Sequence, residues 1–149
     1  MAFYSHILLA VDFTRVTDSV ARQAVEMCQA FKARLSLVHV VEFTQMDLSN
    51  DLILPQELEF EQELIKQSRL RLEELAVKLG LKKSECFVSQ GSTRREILRL
   101  AKELNTDLIV VGSHGREGIQ RLLGSTANAV LHGAPCDVLA VRVKGESVE

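Results

Sequence analysis

No apolar stretch of this chain approaches the roughly 18–20 residues that a membrane-crossing helix needs, so a membrane span is excluded. The first residues, MAFYSHILLAVDF, lack the basic leader and long apolar run of a secretion signal, which predicts a cytoplasmic protein. Cysteine is scarce: Cys28, Cys86 and Cys136 lie far apart and form no C-x-x-C pair. An odd, scattered set of that kind predicts reduced thiols packed among apolar neighbours, not a disulfide framework. The four histidines, His6, His39, His114 and His132, show no ligand spacing, so no metal site is expected. An excess of one charge is also missing. With a formal net charge of −2, the chain offers nucleic acid no bulk electrostatic hold, and no nucleic-acid partner is expected.

What is present is the composition of a globular domain. A chain of 149 residues, 46% hydrophobic and 26% charged, predicts a single domain over 1–149 that buries about two-thirds of its unfolded surface. HILLAVDF (6–13) is a continuous apolar run with β-branched residues, the pattern of a strand covered on both faces. TDSVARQAVEMCQAFKA (17–33) then places Val20, Ala21, Ala24, Val25, Met27, Cys28 and Phe31 at helical spacing. RLSLVHVVEF (34–43) reads as a second strand and 44–56 as a long flexible loop of the kind that serves as a lid. A helix over 57–80 turns Leu58, Leu64, Ile65, Leu72, Leu75, Ala76 and Leu79 to one face, and Gly80 suits a left-handed cap.

ECFVSQG (85–91) is the third strand, and a helix over 92–105 opens on a capping box of Thr93 and Glu96. DLIVVG (107–112), a helix over 125–132 and CDVLAVRV (136–143) complete the pattern, leaving KGESVE (144–149) as a frayed tail. Strict strand–helix alternation with right-handed crossovers predicts a single doubly wound α/β domain on a parallel sheet.

In such a sheet, ligands bind beyond the carboxyl ends of the strands, at the point where strand order reverses. The residues that leave those ends are Asp12, Phe13 and Thr14; Val40, Val41 and Glu42; Gly91 and Ser92; and Gly112, Ser113, His114 and Gly115. Asp12 reads either as a turn residue or as a carboxylate beside a ligand. Gly112, Gly115, Gly118 and Gly124 are half of the chain's eight glycines, all between the fourth and fifth strands. Gly124 precedes Ser125 and Thr126 at a helix start, where one of the hydroxyls would cap the helix and unpaired amides favour an anion. His114, Arg116 and Arg121 would add positive charge. The loop is neither a Walker A motif nor the G-x-G-x-x-G of a dinucleotide fold.

ILLAVDFT, LVHVVE, GSTRREI and TDLIVVGSHGREGIQRLLGSTANAVLHGAPCDVLAV together resemble the universal stress protein family over nearly the whole chain. Nucleotide-binding members carry G-x2-G-x9-G-[S/T]. Here Gly112-x2-Gly115 is followed by eight residues before Gly124-Ser125, a spacer one residue shorter. The resemblance implies a Rossmann-like sheet of order 3-2-1-4-5, akin to the adenine nucleotide α-hydrolase fold, with ATP or AMP across the switch point and Mg2+ carried on the phosphates. By carry-over, Ala10, Val11 and Asp12 line the base and ribose region, with Gly91 at the neighbouring strand end, and Val40 meets adenine through its backbone. Val111, Gly112, Ser113 and Gly115 shape the ribose and first phosphate, and Gly124, Ser125 and Thr126 hold phosphates. The resemblance also implies a homodimer joined through strand 138–143.

The function expected is a nucleotide-responsive regulatory module without catalytic residues. The alternatives are a dimeric interaction protein with a non-binding pocket and a slow ATPase. No oriented general base or arginine finger is identifiable for turnover.

Overall fold

The computed structural model describes residues 3–42, 55–113 and 125–143. Its strands are β1 (His6–Ala10), β2 (Arg34–Val41), β3 (Cys86–Gln90), β4 (Leu108–Gly112) and β5 (Asp137–Val141). Its helices are α1 (Thr17–Phe31), α2 (Pro55–Leu79), α3 (Thr93–Glu103) and α4 (Ser125–Gly133), with a short 3-10 turn at Lys83–Glu85. All pairings are parallel and the order is β3-β2-β1-β4-β5. β1 lies at the centre, and the chain passes to β2 on one side and later to β4 on the other. The reversal therefore falls between the carboxyl ends of β1 and β4.

Side-chain alternation along the strands builds two cores. Ile7 and Leu9 of β1, Leu35 and Leu37 of β2 and Val110 of β4 pack against α1 and α2, through Val20, Ala24, Leu72 and Ala76. Leu8, Val38, Val40, Ile109 and Val111 point to the other face, against Ile97 and Leu100 of α3 and Ala127 and Val130 of α4. Both faces of the sheet are covered, which is why its strands read as unbroken apolar runs. β5 is an edge strand, and Val138, Leu139, Ala140 and Val141 are each only half-buried. Among the described residues no helix is long and apolar enough to cross a membrane.

Two local expectations need correction. The apolar face expected along α2 is real only in its second half: Leu72, Leu75 and Ala76 are buried, but Leu58 and Leu64 are exposed, as is Phe60. A 25-residue helix is about 37 Å long, whereas the eight-residue β2 spans about 26 Å, so α2 outruns the sheet it covers. The cap of α3 is Ser92, whose Oγ accepts the Arg95 amide at 3.4 Å, and not Thr93. Glu96 turns to Arg99 instead, while the Thr93 amide donates to Glu42 Oε2 at 2.7 Å. Ser125 and Thr126 are the first described residues of α4, and the cap of that helix lies outside the described residues.

The thiols are free, and burial disfavours their thiolates: it pushes Cys28 up to about 11 and raises Cys86 and Cys136. Thiols so placed are poor nucleophiles and pack as small apolar groups.

Candidate functional site

At the switch point Leu9, Ala10, Val11, Asp12, Val16, Thr17, Val20 and Gly112 line a small, shallow cleft that opens to solvent. Ala10, Val11 and Asp12 reach it where the chain leaves β1. The Val11 amide carries the ladder one residue further by donating to the Val38 carbonyl at 2.8 Å. Asp12 then folds into an Asx turn, a short polar side chain accepting from the backbone two residues on. Its Oδ1 accepts from the Thr14 amide at 3.2 Å, the Thr14 hydroxyl at 3.0 Å and the Thr17 hydroxyl at 3.3 Å. The side chain is exposed. Asp12 is thus a turn residue that also borders the cleft.

Gly112 forms the opposite wall. A Cβ added there would meet Val20 Cγ2 at 3.5 Å, ordinary contact, and the backbone is not left-handed. Among the described residues nothing demands glycine at this position. What its missing side chain leaves open is the cleft. Ser113, the next residue, anchors its amide on the Val141 carbonyl at 2.9 Å. Its buried Oγ has no hydrogen-bond partner among the described residues, an uncommon state for a buried hydroxyl.

Other expected positions contribute differently. Val40 and Val111 are buried under the α3–α4 layer, so only their backbones could face a ligand. Gly91 is set apart from the cleft, because β2 stands between β3 and β1. Its φ of +131° accounts for the glycine by turn geometry alone. Ser125 is exposed and Thr126 half-buried at the start of α4. His114, Gly115, Arg116 and Gly124 lie outside the described residues, as do Gly118, Arg121 and residues 44–54 of the loop expected over 44–56; its last two residues, Pro55 and Gln56, instead open α2.

A cluster beside the cleft had no sequence signal. Phe13 has φ +56°. A left-handed conformation at a residue other than glycine costs on the order of 1–3 kcal/mol and persists only where its surroundings impose it. The Phe13 ring lies 4.5 Å from that of His39, and the Arg71 guanidinium carbon sits 4.3 Å over it. His39 Nδ1 is 2.6 Å from the Val11 carbonyl. Carbonyls only accept, so Nδ1 carries the proton and donates.

A sequence model described as the universal stress protein family matches residues 3–142. The chain belongs to the universal stress protein family. Universal stress protein A homolog 2 of Coxiella burnetii is 41% identical over 143 residues, covering 95% of this chain and 97% of the relative. Universal stress protein UspA of Lactobacillus plantarum superimposes with a TM-score of 0.79 at 25% identity, over 95% of this chain and all of that one. A universal stress protein solved in complex with cAMP superimposes with a TM-score of 0.60 at 22% identity, covering 93% of this chain and 96% of that one. Membership in the universal stress protein family accounts for the sheet order.

Proposed function

We propose that this universal stress protein binds an adenine nucleotide, ATP or AMP, across the β1–β4 switch point and acts as a dimeric regulatory module responding to its occupancy. The observation that carries the reading is Gly112: a glycine that nothing among the described residues requires, lining with Asp12 an open cleft at the switch point. A cAMP complex of the same fold adds that an adenine nucleotide suits this architecture. In this reading Ala10, Val11 and Asp12 meet base and ribose, the backbones of Val40, Val111 and Gly112 shape the pocket, and the segment from Ser113 to Thr126 takes the phosphates. Mg2+ travels with those phosphates.

The module binds without turnover. The Asp12 Oδ1 already accepts three hydrogen bonds that fix its own turn, which suits a positioning carboxylate better than a general base. The half-buried edge strand β5 supports the dimer, because an unpaired apolar edge is satisfied by pairing with a second copy. A cytoplasmic location goes with this role.

The test is to purify the protein without added nucleotide, release any bound small molecule by heat and identify it by mass spectrometry. Thermal melts with ATP, AMP and GTP run in parallel, since a ligand of the native state raises its melting point. An adenine nucleotide in the extract, or a rise with ATP or AMP alone, is the expected result. No rise with any of them at millimolar concentration would favour the interaction-protein reading, in which the shortened glycine spacer closes the pocket to ligands.

A further inference from the structure

Three residues among those described have left-handed backbones without being glycine: Phe13, Lys32 and Asn105. Two are explained by position. Lys32 caps α1, its amide bonded to the Cys28 carbonyl, and Asn105 follows the end of α3, where such conformations close helices. Phe13 ends no helix. It is the middle residue of the Asp12 turn, beside the cleft, and an aromatic side chain gains nothing of its own from φ +56°. The turn's own hydrogen bonds to Asp12 close around it, and side chains from outside the turn pack on its ring.

The holding groups come from two other elements. From β2, His39 donates through Nδ1 to the Val11 carbonyl at 2.6 Å and places its ring 4.5 Å from the Phe13 ring. From α2, Arg71 lays its guanidinium carbon 4.3 Å over the same ring, within cation–π range. The two side chains grip the turn on either side of Asp12: the carbonyl before it and the ring after it. With both fixed, the backbone at Asp12 is set, and the hydrogen bonds from the Thr14 amide and the Thr14 and Thr17 hydroxyls aim its carboxylate.

We propose that His39 is the positioning residue of the nucleotide site. Its Nδ1–H on the Val11 carbonyl and its ring against Phe13 hold the Val11–Phe13 turn in the shape that presents Asp12 to the cleft, with Arg71 of α2 steadying the stack. The claim rests on the nucleotide reading for its functional side and on the turn geometry for its structural side. His39 touches no ligand in this scheme; it acts through the loop. Through Arg71, the same stack ties the orientation of α2 to the shape of the ligand turn.

The experiment compares wild type, His39→Asn, His39→Leu and Arg71→Met. Asparagine carries an N–H on Cγ, where histidine carries Nδ1, and so keeps the donor; leucine fills the space without one. Two readouts are taken on proteins with matched melting behaviour. One is ATP affinity by calorimetry. The other, on nucleotide-free protein, is the intraresidue amide–Hα contact of Phe13 by NMR, which is short only when φ is positive.

The expected result is that His39→Leu loses the short Phe13 contact and weakens ATP about tenfold, a loss of about 1.4 kcal/mol. His39→Asn should keep both. A merely structural role would lower the melting point without sorting the two variants by donor. A leucine variant with the wild-type Phe13 contact and ATP affinity overturns the proposal, and so does an asparagine variant as impaired as leucine. If wild type binds no ATP, the nucleotide reading fails, yet the Phe13 contact in the ligand-free variants still decides the positioning claim. If His39→Leu does not fold, Arg71→Met decides: loss of the short contact supports the stack, and its retention with unchanged affinity overturns it.

Discussion

His6 Nε2 stands 2.7 Å from Ser36 Oγ, at the end of the sheet opposite the cleft. The serine hydroxyl donates in turn to Glu85 Oε1 at 2.7 Å, and Arg34 Nε donates to Oε2 at 2.8 Å. A carboxylate only accepts, so the serine proton goes to Glu85 and His6 donates through Nε2. This chain joins the start of β1, the start of β2 and the turn before β3. Its groups set how the fold responds to acid.

Burial pushes the His6 imidazole below its ordinary 6.5, and the Arg34 charge adds to the effect. The Leu104 carbonyl and the carboxylates of Glu85 and Asp107 oppose it without prevailing. Glu85 shifts by other causes: burial pushes its carboxyl up, but the hydrogen bonds from Arg34 and Ser36 outweigh that and hold it below 4.5. Below pH 6.5 the unfolded chain binds a proton at His6 that the folded chain binds less readily, so stability falls as the pH falls from there. A further loss follows below 4.5 as Glu85 is titrated. Urea melts from about pH 7.5 down to about 4 would show the decline, and His6→Gln should flatten its upper part. Wild type as stable at about pH 5 as at about 7.5 would contradict the assignment.

Ser36→Ala removes the middle of the relay. Ser36 is fully buried, so the variant leaves the His6 N–H and one Glu85 oxygen without their partner. The cost of such orphaned groups is about 1–3 kcal/mol, read as a lower urea midpoint at unchanged slope. A midpoint equal to wild type would mean that water replaces the hydroxyl at no cost.

Gly91→Ala tests backbone strain with space held constant. The added Cβ would come no closer than 3.6 Å to Glu96, so the φ of +131° alone opposes it. A loss of about 1–3 kcal/mol is expected. Because Gly91 lies away from the cleft, ATP affinity of the folded variant should not change.

Along α2, Leu72→Ala and Leu64→Ala should separate widely. The first empties a fully buried site and should cost about 2–5 kcal/mol. The second, at an exposed leucine, should stay within about 0.5 kcal/mol. Equal losses would show the first half of the helix packed after all.

The sheet was legible because apolar runs alternating with helical periodicity admit few arrangements, and the glycine pattern pointed to the turn beyond β4. The dual burial of β1 was visible in HILLA itself. What escaped the sequence depended on distance in space. Helical periodicity marked Leu58 and Leu64 as core, but it carries no measure of how far the strand beneath extends. The Thr93–Glu96 spacing fitted a capping box, yet Glu42, on another element, reached the Thr93 amide. Asp12 and Gly112 could be named from their places at strand ends. The grip of His39 and Arg71 on Phe13 could not, because three residues on three elements share no spacing in the chain.

The central claim is that Gly112 is glycine for the sake of a ligand. Gly112→Ala adds one methyl group in ordinary contact with Val20, so the variant should melt with wild type. Titrated with ATP in a calorimeter, wild type should bind and the variant should bind at least about tenfold more weakly. Equal affinities in the two proteins, or no heat from wild type at millimolar ATP, would contradict the account.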